Sequence, residues 1–325
     1  MAWLMADGWI ILDKTRGLGS TQAVAAVKRN LRESGHGRVK VGHGGTLDPL
    51  AEGVLPIALG EATKLCGRML EGNKTYAFTI RFGEETDTLD GEGEVVARSD
   101  RRPPCAAIPA ICAHFTGEID QLPPRYSAIK VDGQRAYDRA RAGEEVELAT
   151  RRVTIHSLEA PDLRFQAGPA SAFAITPGRP DLYDPQAPLE LAESVTLLAK
   201  VSKGTYIRSL ARDIAHALGT VGHVTYLRRT VAGPFAEAQA ISLDRLNEIG
   251  KGAPLEDLLL PLEAGLDGIP ALILDPESAQ AVRQGRIVSG LPHPDGLHLA
   301  KLNGVPLALV GVSGGAATVV RGFNL

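Results

Sequence analysis

His43-Gly44-Gly45-Thr46-Leu47-Asp48-Pro49-Leu50-Ala51-Glu52-Gly53-Val54-Leu55-Pro56 is the stretch on which the reading of this chain turns. One acid, Asp48, stands between a glycine pair and a proline, with leucines on both sides. Gly44 and Gly45 carry no side-chain bulk and tolerate unusual backbone angles, so a large ligand can approach the main chain there. Pro49 disfavours helical geometry at the residue before it, which places Asp48 on a turn rather than a helix face. Leu47, Leu50, Val54 and Leu55 supply an apolar floor. Two plainer readings compete. An Asp-Pro turn can spend its carboxylate on nearby backbone N–H groups. A phosphate-cradling loop would need a Lys-Ser/Thr ending, which Gly42-His43-Gly44-Gly45 lacks.

Outward from that loop the chain alternates strand and helix signals without regular βαβ order, which argues for an α+β fold. Residues 8–14 read as a strand and 18–31 as a helix capped by Ser20 or Thr21, with Val24, Val27 and Leu31 on one face. Residues 62–70 read as a short helix. In Tyr76–Phe82 the residues Tyr76, Phe78, Ile80 and Phe82 share one face of a strand. Residues 91–98 are its expected hairpin partner. A helix is expected over 105–115, strands over 153–158 and 195–201, and a helix over 205–218 with Ile207, Leu210, Ile214 and Leu218 inward. Residues 165–188 are rich in Pro, Gly and Ala and read as a surface insertion. The expected division is a first domain over 1–245 and a small β-rich domain over 255–325.

Composition narrows the class. Of 325 residues, 44 % are hydrophobic, enough for a sizeable core, and the net charge is −3. Charge is uneven: residues up to Arg229 hold 29 Lys+Arg and 28 Asp+Glu, and the tail holds six and ten. A polyanion would therefore meet the first part, through local basic clusters. Cys66, Cys105 and Cys112 form no CxxC pair, so neither a disulfide framework nor a zinc site is expected. Asp87 and Asp90 fail the calcium-loop spacing. The start lacks a basic head and a cleavage site, and no apolar run reaches the roughly 20 residues of a membrane span, so a cytoplasmic protein is expected.

Four further segments change the weight of the Asp48 loop: residues 8–21, GWIILDKTRGLGST; residues 72–96, GNKTYAFTIRFGEETDTLDGEGEVV; residues 123–147, PPRYSAIKVDGQRAYDRARAGEEVE; and residues 200–219, KVSKGTYIRSLARDIAHALG, leading into 223–229, HVTYLRR. With the loop, they resemble the successive motifs of the TruB-type tRNA pseudouridine synthases, in family order from about Gly8 to Arg229. The tail more weakly resembles the PUA-type RNA-binding domain of bacterial members. The segment between Leu158 and Val195 is longer than the family pattern.

The resemblance implies a mixed, mostly antiparallel sheet flanked by helices, plus a PUA-like β-barrel. It implies conversion of a T-loop uridine (position 55 by the family's assignment) to pseudouridine, with no cofactor and no metal. It implies a tRNA T-stem-loop as substrate and a monomer with no obligatory protein partner. Asp48 matches the catalytic aspartate, a nucleophile. A carboxylate among apolar neighbours loses hydration and calls for a cation, and Arg208 matches the family's arginine partner, placed off the apolar face of its helix. Tyr76 matches the active-site tyrosine, which stacks on the base; as a proton acceptor it would need help, because free tyrosine titrates at about 10. His43 is expected to fill the gap left by the flipped uridine, Tyr206 and Leu227 to wall the pocket, and Asp90 to touch the base or its surroundings. Lys14, Lys64 and Lys130, with Arg16, Arg68, Arg125, Arg135, Arg139, Arg141, Arg228 and Arg229, are candidates for phosphate contacts, which dominate affinity. Attack at uracil C6, attack at ribose C1′ and a glycal route stay open. The rival reading is a non-catalytic tRNA-binding and remodelling protein, which has no need of the Asp48/Arg208/Tyr76 set.

Overall fold

The computed structural model describes residues 6–127, 130–131, 134–135, 139, 148–161 and 190–325. The expected insertion over 165–188 lies outside them. The chain forms two compact units. The first takes residues up to Asp48, Gly53–Leu70 and Ala232–Leu325; the second takes Pro49–Glu52 and Glu71–Val231.

In the first unit, β1 (Gly8–Lys14) and β2 (Val41–His43) both run antiparallel to β3 (Glu52–Leu59). The second half of the quoted stretch is therefore strand, with Pro56 opposite Ile11. Helix α1 (Ser20–Glu33) lies between β1 and β2 in sequence. Its N-cap is Gly19, not Ser20 or Thr21, and the Gly19 N–H donates to Gln22 Oε1 at 2.7 Å. The Ser20 hydroxyl is thereby released for another task. The short helix expected over 62–70 divides into a 3₁₀ turn, Gly60–Leu65, and α2 (Cys66–Glu71).

Trp9 is fully buried and anchors the unit's core. Its indole N–H donates to the Leu262 carbonyl at 3.1 Å, and its ring sits 5.3 Å from Phe235. Ile11, Ala58 and Met69 join Leu299, Leu309 and Phe323 in the same cluster, so the N-terminal strands and the C-terminal sheet share one interior. Gly265 is needed there, because a Cβ would lie 2.6 Å from the Trp9 ring.

The C-terminal sheet has the order 271–273, 296–302, 305–313, 316–322; its first pair is parallel and the others antiparallel. Among the described residues its first and last strands do not pair, so the β-rich domain is an open sheet and not a closed barrel. A helix, Pro276–Arg283, starts with Asp275 accepting the Ser278 N–H at 2.9 Å. Its Ala279 and Val282 join Leu272, Ala300 and Val310 in a second core.

The second unit is built on β4 (Lys74–Phe82). Its sheet neighbours are β8 (Ser194–Val201), antiparallel, and β9 (Gly222–Ala232). Beyond β8 the antiparallel order continues with β7 (Arg151–Glu159) and β6 (Gly117–Gln121). Phe78, Ile80 and Phe82 are almost fully buried on one face of β4, as their alternation requires. The hairpin expected for this strand does not form. Residues 95–98 pair instead with β5 (Glu84–Thr86), and β8 takes the place beside β4, with Leu197 opposite Phe78. Helix α3 (Ile108–Phe115) and helix α4 (Ile207–Ala217) cover the sheet; Ile207, Leu210 and Ile214 are buried as their spacing demands.

Candidate active site

The Asp48 loop is fixed by three local devices within the first unit. The Ser20 hydroxyl donates to the Leu47 carbonyl at 2.9 Å and accepts the Leu47 N–H at 2.9 Å. The Gly44 N–H donates to the Pro56 carbonyl at 2.8 Å. The two glycines are required for different reasons. A Cβ on Gly44 would lie 2.7 Å from the Cβ of Met69, so helix α2 approaches the backbone as closely as hydrogen allows. Gly45 has φ +137°, a region that L side chains rarely adopt. Leu47 and Leu50 are buried while Asp48 between them is half-buried. The side chains on either side are thus committed to the interior, and Asp48 stays accessible. His43, half-buried, ends β2 opposite Ile57 and accepts a long bond from the Gly45 N–H at 3.4 Å.

In the second unit the centre is Arg208. It is the second residue of α4 and only 5 % exposed, deeper than its position off the apolar face suggested. The cation is tolerated because both of its terminal nitrogens have acceptors. One terminal nitrogen donates to the Thr88 carbonyl at 2.8 Å and approaches the Asp90 carboxylate at 3.2 Å; the other donates to the Tyr126 carbonyl at 3.0 Å. Asp90, 3 % exposed, is saturated on both oxygens. The Thr88 hydroxyl donates to Oδ1 at 2.6 Å, the Glu92 N–H donates to the same oxygen at 3.1 Å, and Arg208 takes Oδ2. The turn is clamped to β9: Gly91 N–H donates to the Val224 carbonyl and Val224 N–H to the Leu89 carbonyl, both at 3.0 Å. Leu89 has φ +62°, a strained conformation that this clamp holds. Asp90 is therefore Arg208's buried counter-ion, a more definite role than the contact with the base's surroundings expected for it.

Tyr76 is the half-buried member of the β4 face whose deeper members are Phe78, Ile80 and Phe82, and it lies opposite Ala199. A ring at the exposed end of an apolar row is suited to stacking. Tyr206 is the N-cap of α4 rather than part of it. Its N–H donates to Gln121 Oε1 at 2.8 Å, its carbonyl accepts from Gln121 Nε2 at 3.2 Å, and the Arg151 guanidinium lies 5.5 Å from its ring centre. Leu227 is buried in β9. On the same face of β4 as Tyr76, Lys74 is buried, and burial, aided by the nearby Arg229 cation, pulls its ammonium down to about 8.

The expected phosphate contacts fall in different settings. Lys14 is fully buried and donates to the Thr15 and Leu18 carbonyls at 3.1 and 2.7 Å, which braces the turn after β1. Arg229 is 1 % exposed and is equally removed from solvent. Lys64 is bound to Glu61 at 2.6 Å and to the Gly322 carbonyl at 2.9 Å, which ties the 3₁₀ turn to the C-terminal sheet. Lys130 falls in a two-residue strand whose side chains lie outside the described set. Ser20, Met69, Thr88 and Gln121 were not singled out by sequence. Only Ser20 carried a signal, and it pointed to a cap.

The first unit thus holds a framed, half-buried carboxylate; the second holds a buried arginine–aspartate pair next to the helix N-cap Tyr206. Residues 29–178 match the TruB family pseudouridylate synthase N-terminal domain, and residues 208–267 match the tRNA pseudouridylate synthase B C-terminal domain. The chain is 63 % identical to tRNA pseudouridine synthase B of Novosphingobium aromaticivorans, over 99 % of this chain and 98 % of that protein. It is 53 % identical to the protein of the same name from Zymomonas mobilis, over 98 % and 96 %. A solved Cbf5–Nop10–Gar1 complex contains a chain of similar fold, with TM-score 0.66 and 26 % identity over 98 % of this chain and 85 % of that one. An H/ACA RNP bound to a substrate RNA containing 2′-deoxyuridine contains another, with TM-score 0.68 over 99 % and 86 % and 23 % identity, a likeness of fold. This chain belongs to the TruB family of pseudouridylate synthases. Among the described residues, no helix is long and apolar enough to cross a membrane.

Proposed function

We propose that this enzyme isomerises uridine to pseudouridine in tRNA, at position 55 of the T loop, acting in the cytoplasm as a single chain and without a cofactor. The full-length likeness to two proteins named tRNA pseudouridine synthase B supports the substrate. The observation that carries the chemistry is the Asp48 loop: a carboxylate kept accessible between two buried leucines, on a backbone fixed by Ser20, Gly44 and Gly45.

In this reading the uridine is extruded from its loop, as enzymes acting on a stacked base require. His43 occupies the space the base leaves. Tyr76 stacks on the uracil, with Leu227 and Tyr206 completing the wall. The Asp48 carboxylate is the nucleophile. The N1–C1′ bond breaks, the uracil turns, and a C5–C1′ bond forms. C5 loses one proton and N1 gains one, so the product has the composition of the substrate. Asp90, Thr88 and Tyr126 keep the Arg208 guanidinium in place. The fork geometry of arginine suits it to these three partners better than a lysine ammonium.

Release of tritium from C5-labelled uridine in a tRNA transcript tests the reaction, because the isomer has unchanged mass. Asp48→Asn is expected to abolish release while tRNA binding persists. Turnover of that variant at the wild-type rate would overturn the assignment, and a wild-type chain that binds tRNA without releasing tritium would leave the remodelling reading instead.

A further inference from the structure

The first unit holds a cleft of about 760 Å³ that the isomerisation chemistry does not use. Its wall is the segment His36-Gly37-Arg38-Val39-Lys40, together with Arg32 from the last turn of α1 and the 3₁₀ turn that carries Glu61 and Lys64. The segment is shaped, not loose. Helix α1 stops because Gly35 takes φ +85°, its N–H donating to the Arg32 carbonyl at 3.2 Å while the His36 N–H donates to the Leu31 carbonyl at 3.0 Å. Gly37 takes φ +70° and turns the chain again. The Lys40 carbonyl then accepts the Gly60 N–H at 2.8 Å, which fixes the backbone on both sides of the cleft.

The charges around this cleft are unbalanced. Arg32, Arg38, Lys40 and Lys64 face two acids, Asp7 and Glu61, in a chain whose net charge is −3. Lys64 is committed to Glu61. Arg32, Arg38 and Lys40 are exposed and make no ion pair among the described residues. His36 uses Nδ1 on the Ser34 hydroxyl at 2.9 Å; its Nε2 is shielded from solvent and has no hydrogen-bond partner among the described residues.

Three exposed cations around the cleft, Arg32, Arg38 and Lys40, with only Lys40 also drawing on Glu61, fit a phosphodiester chain. Position within the unit favours RNA. Lys40 immediately precedes β2, and His43, which leads into the Asp48 loop, ends it. Three residues of strand separate cleft and loop, about 10 Å. We propose that this cleft binds the ribose–phosphate backbone of the RNA whose target uridine enters the Asp48 loop. The proposal rests on the reading of the chain as a tRNA isomerase and adds a binding surface to it.

The test measures the dissociation constant for a tRNA transcript against salt concentration, for the full-length chain and for Arg32→Gln/Arg38→Gln/Lys40→Gln. Each lost phosphate contact removes roughly 0.7–0.9 from the slope of log K against log salt, so the slope is expected to fall by about 2–3. Arg283→Gln, an exposed arginine on the C-terminal helix, is expected to leave the slope unchanged. An unchanged slope in the triple variant, or an equal loss in Arg283→Gln, overturns the proposal. Should the triple variant fold poorly, Arg38→Gln alone is expected to lower the slope by roughly 0.7–0.9, and no change refutes the cleft. Inorganic phosphate is titrated at matched ionic strength; selective competition that the triple variant loses, with an unchanged RNA slope, would assign the cleft to free phosphate and overturn the RNA proposal. Binding is read without turnover, so a wild-type chain that releases no tritium refutes the isomerase reading and leaves this measurement standing.

Discussion

Replacing Asp90 by Asn is the sharpest probe of how the second unit holds its arginine. The carboxylate and guanidinium approach at 3.2 Å with 3 % and 5 % of their residues exposed, so water cannot replace either partner. In Asp90→Asn the amide oxygen can still accept from Thr88 and Glu92, so the turn's own hydrogen bonds survive. The amide nitrogen, however, then faces a guanidinium that also donates. Arg208 keeps the Thr88 and Tyr126 carbonyls but loses the Asp90 charge. Removing one partner of a buried ion pair typically costs 3–5 kcal/mol. The retained carbonyl bonds place this site at the low end, about 3 kcal/mol. Urea unfolding followed by far-UV circular dichroism measures the loss, and tritium release should fall in parallel because the arginine is no longer held. The companion variant, Asp90→Asn/Arg208→Met, removes the buried cation as well and should regain at least about 1 kcal/mol of stability without regaining activity. A loss below about 1 kcal/mol in Asp90→Asn would show that the pair is well solvated and that the reasoning fails.

Other outcomes are as definite. Arg208→Lys should lower tritium release sharply, because one ammonium cannot serve the Thr88 and Tyr126 carbonyls and a carboxylate together; unchanged turnover would count against the fork. Gly45→Ala forces a Cβ into φ +137° and should cost about 1–3 kcal/mol in urea unfolding, with a raised KM for tRNA; a neutral result would mean the loop relaxes freely. For Lys74 the sign follows from its position below the ordinary lysine range. The folded chain releases the proton near pH 8, while the unfolded chain keeps it to about 10.4, so folding stability gains as pH rises through that window. Lys74→Met should therefore look most stabilising, relative to wild type, below pH 8, and its advantage should shrink towards pH 10; an advantage independent of pH would show that Lys74 titrates normally.

Local chemistry wrote much of this protein into its sequence. The alternation of Phe78, Ile80 and Phe82 and the helical spacing of Ile207, Leu210 and Ile214 each placed a buried face correctly, because side-chain direction in strands and helices follows the backbone repeat. The glycine pair beside Asp48 marked a backbone of special geometry, and the order of motifs identified the family. What stayed hidden depends on partners distant in the chain. Residues 95–98 had the composition of a partner for β4, yet strand pairing is decided by the whole sheet, and β8 took that place. Ser20 reads as a cap until Leu47, 27 residues away, claims its hydroxyl. Lys14 and Arg229 read as RNA contacts, because a sequence shows that a residue carries charge and not whether the fold buries it. Arg208 and Asp90 lie 118 positions apart in sequence, and only the packing of α4 against the clamped turn makes them one ion pair. The sequence determined which groups are available for chemistry; tertiary structure decided which are desolvated, and desolvation sets how strongly one charge must hold another.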